Sequence, residues 1–192
     1  MDEALCAWID ESVEVSATRL GFYVLAATVC ARDTVAPAQA TLHELLPRNR
    51  QRLHWHAEDN STRIQICRNI AALAVVHVVV ITDAKPHQQE RSRRKCLERL
   101  LFELDQLGVA QVWIESRQRA QDRSDVRMID ALRSRHAITP RIRVGFSRPL
   151  TEPMLWLPDS IAGMTTADLR SESNDWTGRL GSSYQLVDLR RS

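Results

Sequence analysis

The segment 74–83, AVVHVVVITD, is an almost unbroken run of apolar, mostly β-branched residues. A run without polar alternation is typical of a strand that is covered on both faces. A second buried strand is predicted at 109–115, and the segment 87–107 between them has the apolar spacing of an amphipathic helix. A strand, a helix and a strand in this order favour a right-handed parallel crossover. We therefore expect an α/β sheet with helices on both faces.

The other predicted elements complete one three-layer α/β domain with a mixed, mostly five-stranded sheet. The first two strands are joined by a polar connection and are expected to form a hairpin, which supplies the antiparallel part. The domain is predicted to span 1–170, with 171–192 as a loosely packed tail. The remaining elements are strands at 5–10, 19–30, 52–58 and 141–147, and helices at 41–46, 59–73, 126–134 and 152–169, the last bent at Pro158.

Composition indicates a soluble globular protein. The 192 residues are 44% apolar and 26% charged, and the longest apolar stretch, 71–81, is shorter than the ~20 residues of a membrane span. The acidic N-terminus does not have the pattern of a secretory signal, so a cytoplasmic location and no membrane partner are expected. The four cysteines lie in apolar segments without a Cys-x-x-Cys pair, which favours buried thiols over disulfides or a zinc knuckle.

Arginine accounts for almost all of the basic residues. The segment 117–148 contains nine arginines and three aspartates, whereas the whole chain has only two lysines. Guanidinium groups match phosphate geometry, which points to a nucleic acid partner. A coding genome rich in G and C would enrich arginine in the same way, so both explanations stay open.

Three predicted strands end on an acid: Asp10, Asp83 and Glu115. Parallel strands place their carboxyl ends at one edge of the sheet, where α/β proteins form binding sites. A fourth acid, Asp159, lies in the last predicted helix among small residues that would allow close packing. Carboxylates crowded in a crevice repel one another unless a cation is present. Mg²⁺ or Mn²⁺ would resolve this repulsion, because both accept carboxylate oxygens as ligands.

Each acid also has a purely structural interpretation. These interpretations are a turn cap for Asp10, a turn residue for Asp83, an ion pair with Arg117 or Arg119 for Glu115, and a helix N-cap for Asp159. The argument for a site therefore depends on the joint placement of the acids.

Several motifs occur in an order that resembles a known family. They are WIDES, YVLAATVC, LHW, two strand–helix units that end on acids, and LWLPDSIAG. This order, over about 5–167, resembles a ribonuclease H-like family of unknown function that opens with Asp-Glu-Ser-Gly and closes with Gln-Leu-Ala-Asp, a hydrophobic residue and Ile-Ala-Gly. Val13 stands where the glycine is usual, and Trp156, Leu157 and Pro158 replace Gln-Leu-Ala.

The resemblance implies a ribonuclease H-like fold and a metal-dependent nuclease. Asp10 then matches the first-strand carboxylate, Asp159 the acid of the closing helix and Glu115 the strand-end acid, with Asp83 as a weaker metal ligand. Glu11 and Ser12 would orient the ligands. In a two-metal scheme, ions about 3.5–4 Å apart stabilise the attacking water and the leaving 3′-oxygen of RNA or DNA.

Other residue pairs allow further interpretations. His54, His56, Arg117 and Arg119 are candidates for contacts with the nucleic acid backbone, while His54 and His56 with Glu58 would suggest zinc if a fourth ligand were present. A serine hydrolase built on Ser12 or Ser160 with His54 is a rival, although no Gly-x-Ser-x-Gly motif occurs. The stronger rival is a ribonuclease H-like module that binds a nucleic acid or a protein without catalysis. Trp176 and Tyr184 are expected to pack either on the domain or on a second copy in a homodimer.

Overall fold

The computed structural model describes residues 4–15, 21–170 and 174–191. Four predicted elements are present with small changes of bounds: the strands at 109–115 and 141–147 and the helices at 59–73 and 87–107. The elements are β1 (Leu5–Glu14), β2 (Gly21–Ala31), α1 (Val35–Glu44), α2 (Asn60–Ala71), β3 (Val76–Ala84), α3 (Gln89–Gln106), β4 (Val109–Glu115), α4 (Arg119–Ser134), β5 (Arg143–Ser147), α5 (Trp156–Leu169) and β6 (Tyr184–Asp188).

The described strands form one mixed six-stranded sheet in the order β5-β4-β1-β2-β3-β6. Strand β2 runs antiparallel to both of its neighbours, β1 and β3, and the other neighbouring pairs are parallel. The mixed α/β sheet is confirmed, and the β1–β2 pairing agrees with the predicted hairpin. Arg19, the predicted first residue of the second strand, lies outside the described residues. Because β1, β3 and β4 point the same way, their carboxyl ends share one edge.

The sixth strand comes from the segment that was expected to be a loose tail. Residues of β6 pair in parallel with β3, from His77 with Tyr184 to Ile81 with Asp188. The Trp176 ring packs edge-on against Trp55 at 5.1 Å between centroids, and the Tyr184 hydroxyl lies 3.0 Å from that of Thr165. Both aromatic residues therefore pack on the chain's own domain. The strand is short and half exposed, so its sequence lacks the apolar pattern that marks a buried strand.

Helices cover both faces of the sheet and enclose two cores. Helices α1, α2 and α5 pack on one face, which includes Trp8 and Trp156, and α3 and α4 pack on the other, which includes Ile9 and Leu100. All four cysteines are buried and unpaired, as predicted. No helix in the described ranges is both long and apolar enough to cross a membrane.

The predicted strand at 52–58 is wrong. Residues Trp55–Ala57 form a 3₁₀ turn, and the Trp55 backbone N–H donates to the Asp159 carboxylate at 2.8 Å. The segment thus bonds to α5 instead of to a neighbouring strand, and the place beside β2 is taken by β3. The alternation of histidine around Trp55 reflects one buried indole between two partly exposed imidazoles, not a strand.

Three helices also start at other residues than predicted: α1 and α4 start earlier, and α5 starts later. Helix α1 starts at Val35 instead of 41, with Pro37 in its first turn, where a missing N–H costs no hydrogen bond. Helix α4 starts at Arg119 instead of 126, because Gln118 and Gln121 form a capping box there. Helix α5 starts at Trp156, so Pro158 lies in the first turn and need not bend the helix.

Candidate active site

A crevice of about 220 Å³ opens at the carboxyl edge of the sheet. This is well above the ~10–15 Å³ that a single water needs. The crevice is lined by residues of β1, β4, α3 and α5 and of the connections that follow β4 and precede the Trp55 turn. Its charged residues are the acids Asp10, Glu11, Glu115 and Asp159 and the bases Arg52, His54, Arg93 and Arg117.

The sheet register brings Asp10 and Glu115 together. Strands β1 and β4 are parallel neighbours, and Ile9 pairs with Ile114. The next residue on each strand is an acid, so Asp10 and Glu115 stand side by side on the face that α5 covers. The proximity of the Glu115 carboxyl group raises the pKa of Asp10.

Asp10 is an acid in an unfavourable position. Burial is the main cause that raises its pKa well above the usual range, and the negative charges of Asp159 and Glu115 raise it further. The Arg93 guanidinium acts in the opposite direction but does not cancel these effects. Crowding of like charges in a partly dry crevice is the condition that a bound cation relieves.

Asp159 is held in the same crevice by the turn that precedes α2. One of its carboxylate oxygens accepts from His54 Nδ1 at 2.8 Å and the other from the Trp55 backbone N–H at 2.8 Å. The close approach of α5 depends on Gly163, where a Cβ atom would lie 2.2 Å from Trp55 Cδ1. The small residues around Asp159 thus let the helix carry its acid to the sheet edge.

Glu11 lies on the opposite face from Asp10, because successive strand residues alternate. Its carboxylate forms an ion pair with Arg93 of α3. Arg93 is only 1% exposed and also donates to the buried Asp125 carboxylate at 2.8 Å. Burial lowers the pKa of Arg93, while its hydrogen bond with Asp125 raises it.

Arg117 connects this second cluster to the solvent. Its guanidinium pairs with Glu90 at 2.6 Å and lies 3.3 Å from Asp125, and its backbone N–H donates to Asp122 at 2.9 Å. Arg52 borders the crevice from the other side, and no ion pair of its side chain is found among the described residues. Positive charge therefore surrounds the acids.

The two histidines occupy different environments. The hydrogen bond with Asp159 is the main cause that raises the pKa of His54, whereas burial lowers the pKa of His56. His54 lines the crevice, and His56 instead lies 3.4 Å from the Ser12 hydroxyl. The two rings are 6.0 Å apart.

Asp83 and Arg119 do not line this crevice. The register pairs Asp83 with Phe22, which in turn pairs with Glu14, four residues beyond Asp10 along β1. Asp83 therefore shares the edge but lies two strands away from β1, in a different depression with Lys85. Arg119 is exposed at the first residue of α4.

The donor set fits a hard divalent cation that keeps most of its waters. Across the described ranges, no three Asp, Glu, His or Cys side chains form a ready-made metal cage. Mg²⁺ is usually held by one or two carboxylates together with waters and substrate phosphates, not by an all-protein cage. Asp10 and Glu115, which stand side by side in the crevice with Asp159 beside them, match this need. The zinc interpretation of His54, His56 and Glu58 requires a cluster of at least three metal-binding side chains, and none is found in the described residues.

The serine hydrolase alternative lacks a suitable nucleophile. Ser160 is fully buried and donates to the Trp156 carbonyl at 2.8 Å. Ser12 is also buried and accepts from the Thr166 hydroxyl at 2.9 Å. These hydroxyls are structural.

Two charged residues of the crevice, Arg52 and Arg93, were not predicted from the sequence. Arg93 precedes Cys96 and Leu97 by three and four residues, so it falls on the apolar stripe of α3. A lone arginine on such a stripe signals a buried partner. Arg52 has no comparable signal, because its position depends on the turn at Trp55.

No protein-family model matches the chain, and no curated protein matches it. Solved structures do match. A chain of the PCNA:RNase HII complex from Archaeoglobus fulgidus has a TM-score of 0.52 and 14% identity, with 94% of this chain and 81% of that chain covered. Ribonuclease H2 from Pyrococcus horikoshii OT3 has a TM-score of 0.56 and 10% identity, with 94% and 80% covered. A mutant protein of Bst-RNase HIII has a TM-score of 0.54 and 14% identity, with 86% of this chain and 53% of that chain covered.

Identities this low show the fold alone, and the motif-level resemblance at either end of the chain is not tested by them. The chain has a ribonuclease H-like α/β fold with a mixed six-stranded sheet.

Proposed function

We propose that the chain is a nuclease that hydrolyses phosphodiester bonds of RNA or DNA with a bound Mg²⁺ or Mn²⁺ ion. The observation that carries the proposal is the convergence of Asp10, Glu115 and Asp159 in one crevice, where burial and mutual repulsion raise the pKa of Asp10. A cation removes this repulsion, and the ribonuclease H-like fold supports placing it there. Asp83 lies in another depression, so it is not one of the proposed ligands.

The acidic residues of the crevice would hold the cation, and the basic residues would contact the phosphate backbone. A divalent cation supplies a Lewis acid for the phosphoryl oxygens and lowers the pKa of a bound water. Asp10 and Glu115 would hold it, and Asp159 is fixed beside them by its bonds to His54 and the Trp55 backbone. The guanidinium groups of Arg52 and Arg117 border the crevice, so a phosphate backbone entering it meets cations on both sides.

The test is cleavage of labelled single-stranded, duplex and RNA–DNA hybrid substrates with Mg²⁺ or Mn²⁺. The proteins of similar fold are named as ribonucleases, which supports testing strands that contain RNA first. We expect Asp10→Asn to lose at least about 100-fold in rate, since losing a group that only orients a ligand already costs metal sites ~10–100-fold. Asp83→Asn is the matched control, a strand-end acid on the same edge outside the crevice, and should keep its activity. Equal rates for Asp10→Asn and wild type would refute the proposal.

A second candidate function is a nucleic acid-binding module without catalysis. It is favoured by the engagement of Asp159, whose two oxygens both accept hydrogen bonds from the protein. This candidate predicts binding that weakens steeply with salt, because phosphate contacts release counterions, and no cleavage at any metal concentration. Turnover that Asp10→Asn abolishes would exclude it.

A further inference from the structure

Arg93 is a permanent cation built into the wall of the crevice. Its side chain is 2% exposed, and it comes from α3, on the opposite face of the sheet from Asp159. Two of its nitrogens bond the Asp125 carboxylate, at 2.8 and 3.2 Å, and a third pairs with Glu11 and lies 3.4 Å from the Tyr23 hydroxyl. All three guanidinium nitrogens therefore have partners that fix the plane of the group.

Strand alternation determines which acid Arg93 neutralises. Asp10 points to the α5 face, where it meets Glu115, and Glu11 points to the α3 face, where it meets Arg93. Both acids still line the same crevice. Of the four acids in the crevice, Glu11 is thus the one with a buried guanidinium partner, and the repulsion remains among the other three.

We infer that the Arg93 guanidinium takes the place of a second metal ion, so that the chain binds one divalent cation, held on the α5 face by Asp10 and Glu115. Glu11 is then the partner of Arg93 and not a metal ligand. This inference rests on the proposed function, because it concerns the same site. Arg93 acts as a positioning residue: its charge is felt at Asp10, but its nitrogens are occupied by protein groups.

Charge balance explains why a second ion is not needed. A two-ion site requires acids on both sides of the reacting phosphate to be free for metal. Here the acid on the α3 side already faces a cation that cannot be deprotonated and cannot leave. A second divalent ion next to Glu11 would have to displace Arg93, which would leave the buried Asp125 carboxylate with only the Arg117 guanidinium, 3.3 Å away.

The experiment is a titration of the full chain with Mn²⁺, followed by calorimetry and by the electron paramagnetic resonance signal of free Mn²⁺. We expect one bound ion per chain. Glu11→Gln should still bind one ion, with Kd within about threefold of wild type, whereas Asp10→Asn should lose binding by at least tenfold. The circular dichroism spectrum of each variant confirms that it is folded.

A paired substitution tests Arg93 without leaving Asp125 unpaired. Arg93→Gln combined with Asp125→Asn replaces the ion pair by two neutral amide side chains, and it frees Glu11. We expect this variant to bind a second Mn²⁺ ion, and Arg93→Lys, which keeps the charge, to bind one. A variant that stays at one ion after the double substitution would overturn the role of Arg93.

The outcomes separate this inference from the proposed function. Two ions on the wild-type chain, or a tenfold loss of affinity in Glu11→Gln, would overturn the inference even if the chain cleaves nucleic acid. One ion that depends on Asp10 but not on Glu11 would support the inference even if no substrate is cleaved. No Mn²⁺ binding at any concentration would remove both.

Discussion

The two faces of the sheet at its carboxyl edge treat their buried acids in opposite ways. On the α3 face, Glu11 and Asp125 share the Arg93 guanidinium. On the α5 face, Asp10 and Glu115 meet each other, and the pKa of Asp10 is raised by burial and by the neighbouring charges. One strand supplies an acid to each face, so the difference lies in the partners and not in the strand. A cation from solution therefore gains most on the α5 face.

The largest expected effect comes from removing the Arg93 guanidinium that the acids of the α3 face share. Arg93→Met should lower the free energy of unfolding by about 3 kcal/mol, because it removes the closer of the two guanidinium partners of the buried Asp125 carboxylate and leaves only Arg117, 3.3 Å away. The measurement is urea-induced unfolding. Arg99→Met, which removes an exposed pair with Glu103, is the control and should cost less than ~0.5 kcal/mol. If the two variants lose the same stability, Arg93 does not have the role described.

The next effect concerns the α5 face, where Asp10 and Glu115 meet each other. Mn²⁺ at 100 times its Kd should raise the free energy of unfolding of the wild type by ~2.7 kcal/mol, since it binds only the folded chain. Asp10→Asn should gain at most ~1.4 kcal/mol at the same Mn²⁺ concentration, because its Kd is expected to be at least tenfold weaker. In metal-free buffer at neutral pH, Asp10→Asn should be more stable than wild type, because it removes a repelled charge. Thermal unfolding with and without the ion measures both.

An equal gain in Asp10→Asn and wild type would show that Mn²⁺ binds elsewhere. Asp83→Asn is again the matched control, and it should respond to Mn²⁺ as wild type does.

The smallest effect compares two neighbouring histidines. The pKa of His54 is raised by its bond to Asp159, so the stability that this bond adds is fully present below the unfolded value of 6.5 and is lost as pH rises through the folded value. His54→Gln should therefore lose most stability near pH 5 and least above neutrality. The loss should stay below ~1 kcal/mol, because the imidazole is 39% exposed and its charge is screened.

The stability change caused by His56→Gln should have the opposite pH dependence. Burial lowers the pKa of His56, so its neutral form is stable above pH 6.5, and wild-type stability falls as pH drops through the lower folded value. Urea unfolding at pH 5 and pH 8 distinguishes the two variants. The same pH trend in both would contradict the assigned environments.

The elements that could be predicted from the sequence are those with a continuous run or a regular spacing of apolar residues. Strand β4 has its predicted bounds because an apolar run follows Gly108, whose positive φ of 78° ends α3. The turn at Trp55 was mistaken for a strand, because its order depends on Asp159, more than 100 residues away. Strand β6 was missed because an edge strand needs few apolar residues.

The candidate site also has residues that the sequence indicates and residues that only the packed structure reveals. Asp10, Glu115 and Asp159 could be placed near one edge from strand direction alone, since each follows an apolar run or lies on a packed helix. The separation of Asp10 from Glu11 follows from strand alternation, but the cation that Glu11 meets belongs to α3. The spacing of Arg93 places it on the apolar stripe of that helix, but the acids that it meets there are shown only by the packed structure.

The origin of the three acids in the first strand, the fourth strand and the last helix has a consequence for folding. Asp10 and Glu115 become neighbours only when β4 joins β1, and Asp159 reaches them only when α5 docks on the sheet. A growing chain therefore carries no complete ion site until its long-range contacts have formed. Uptake of a divalent cation would then report that the tertiary structure is finished, and it would follow the slow, non-local steps of folding instead of helix formation.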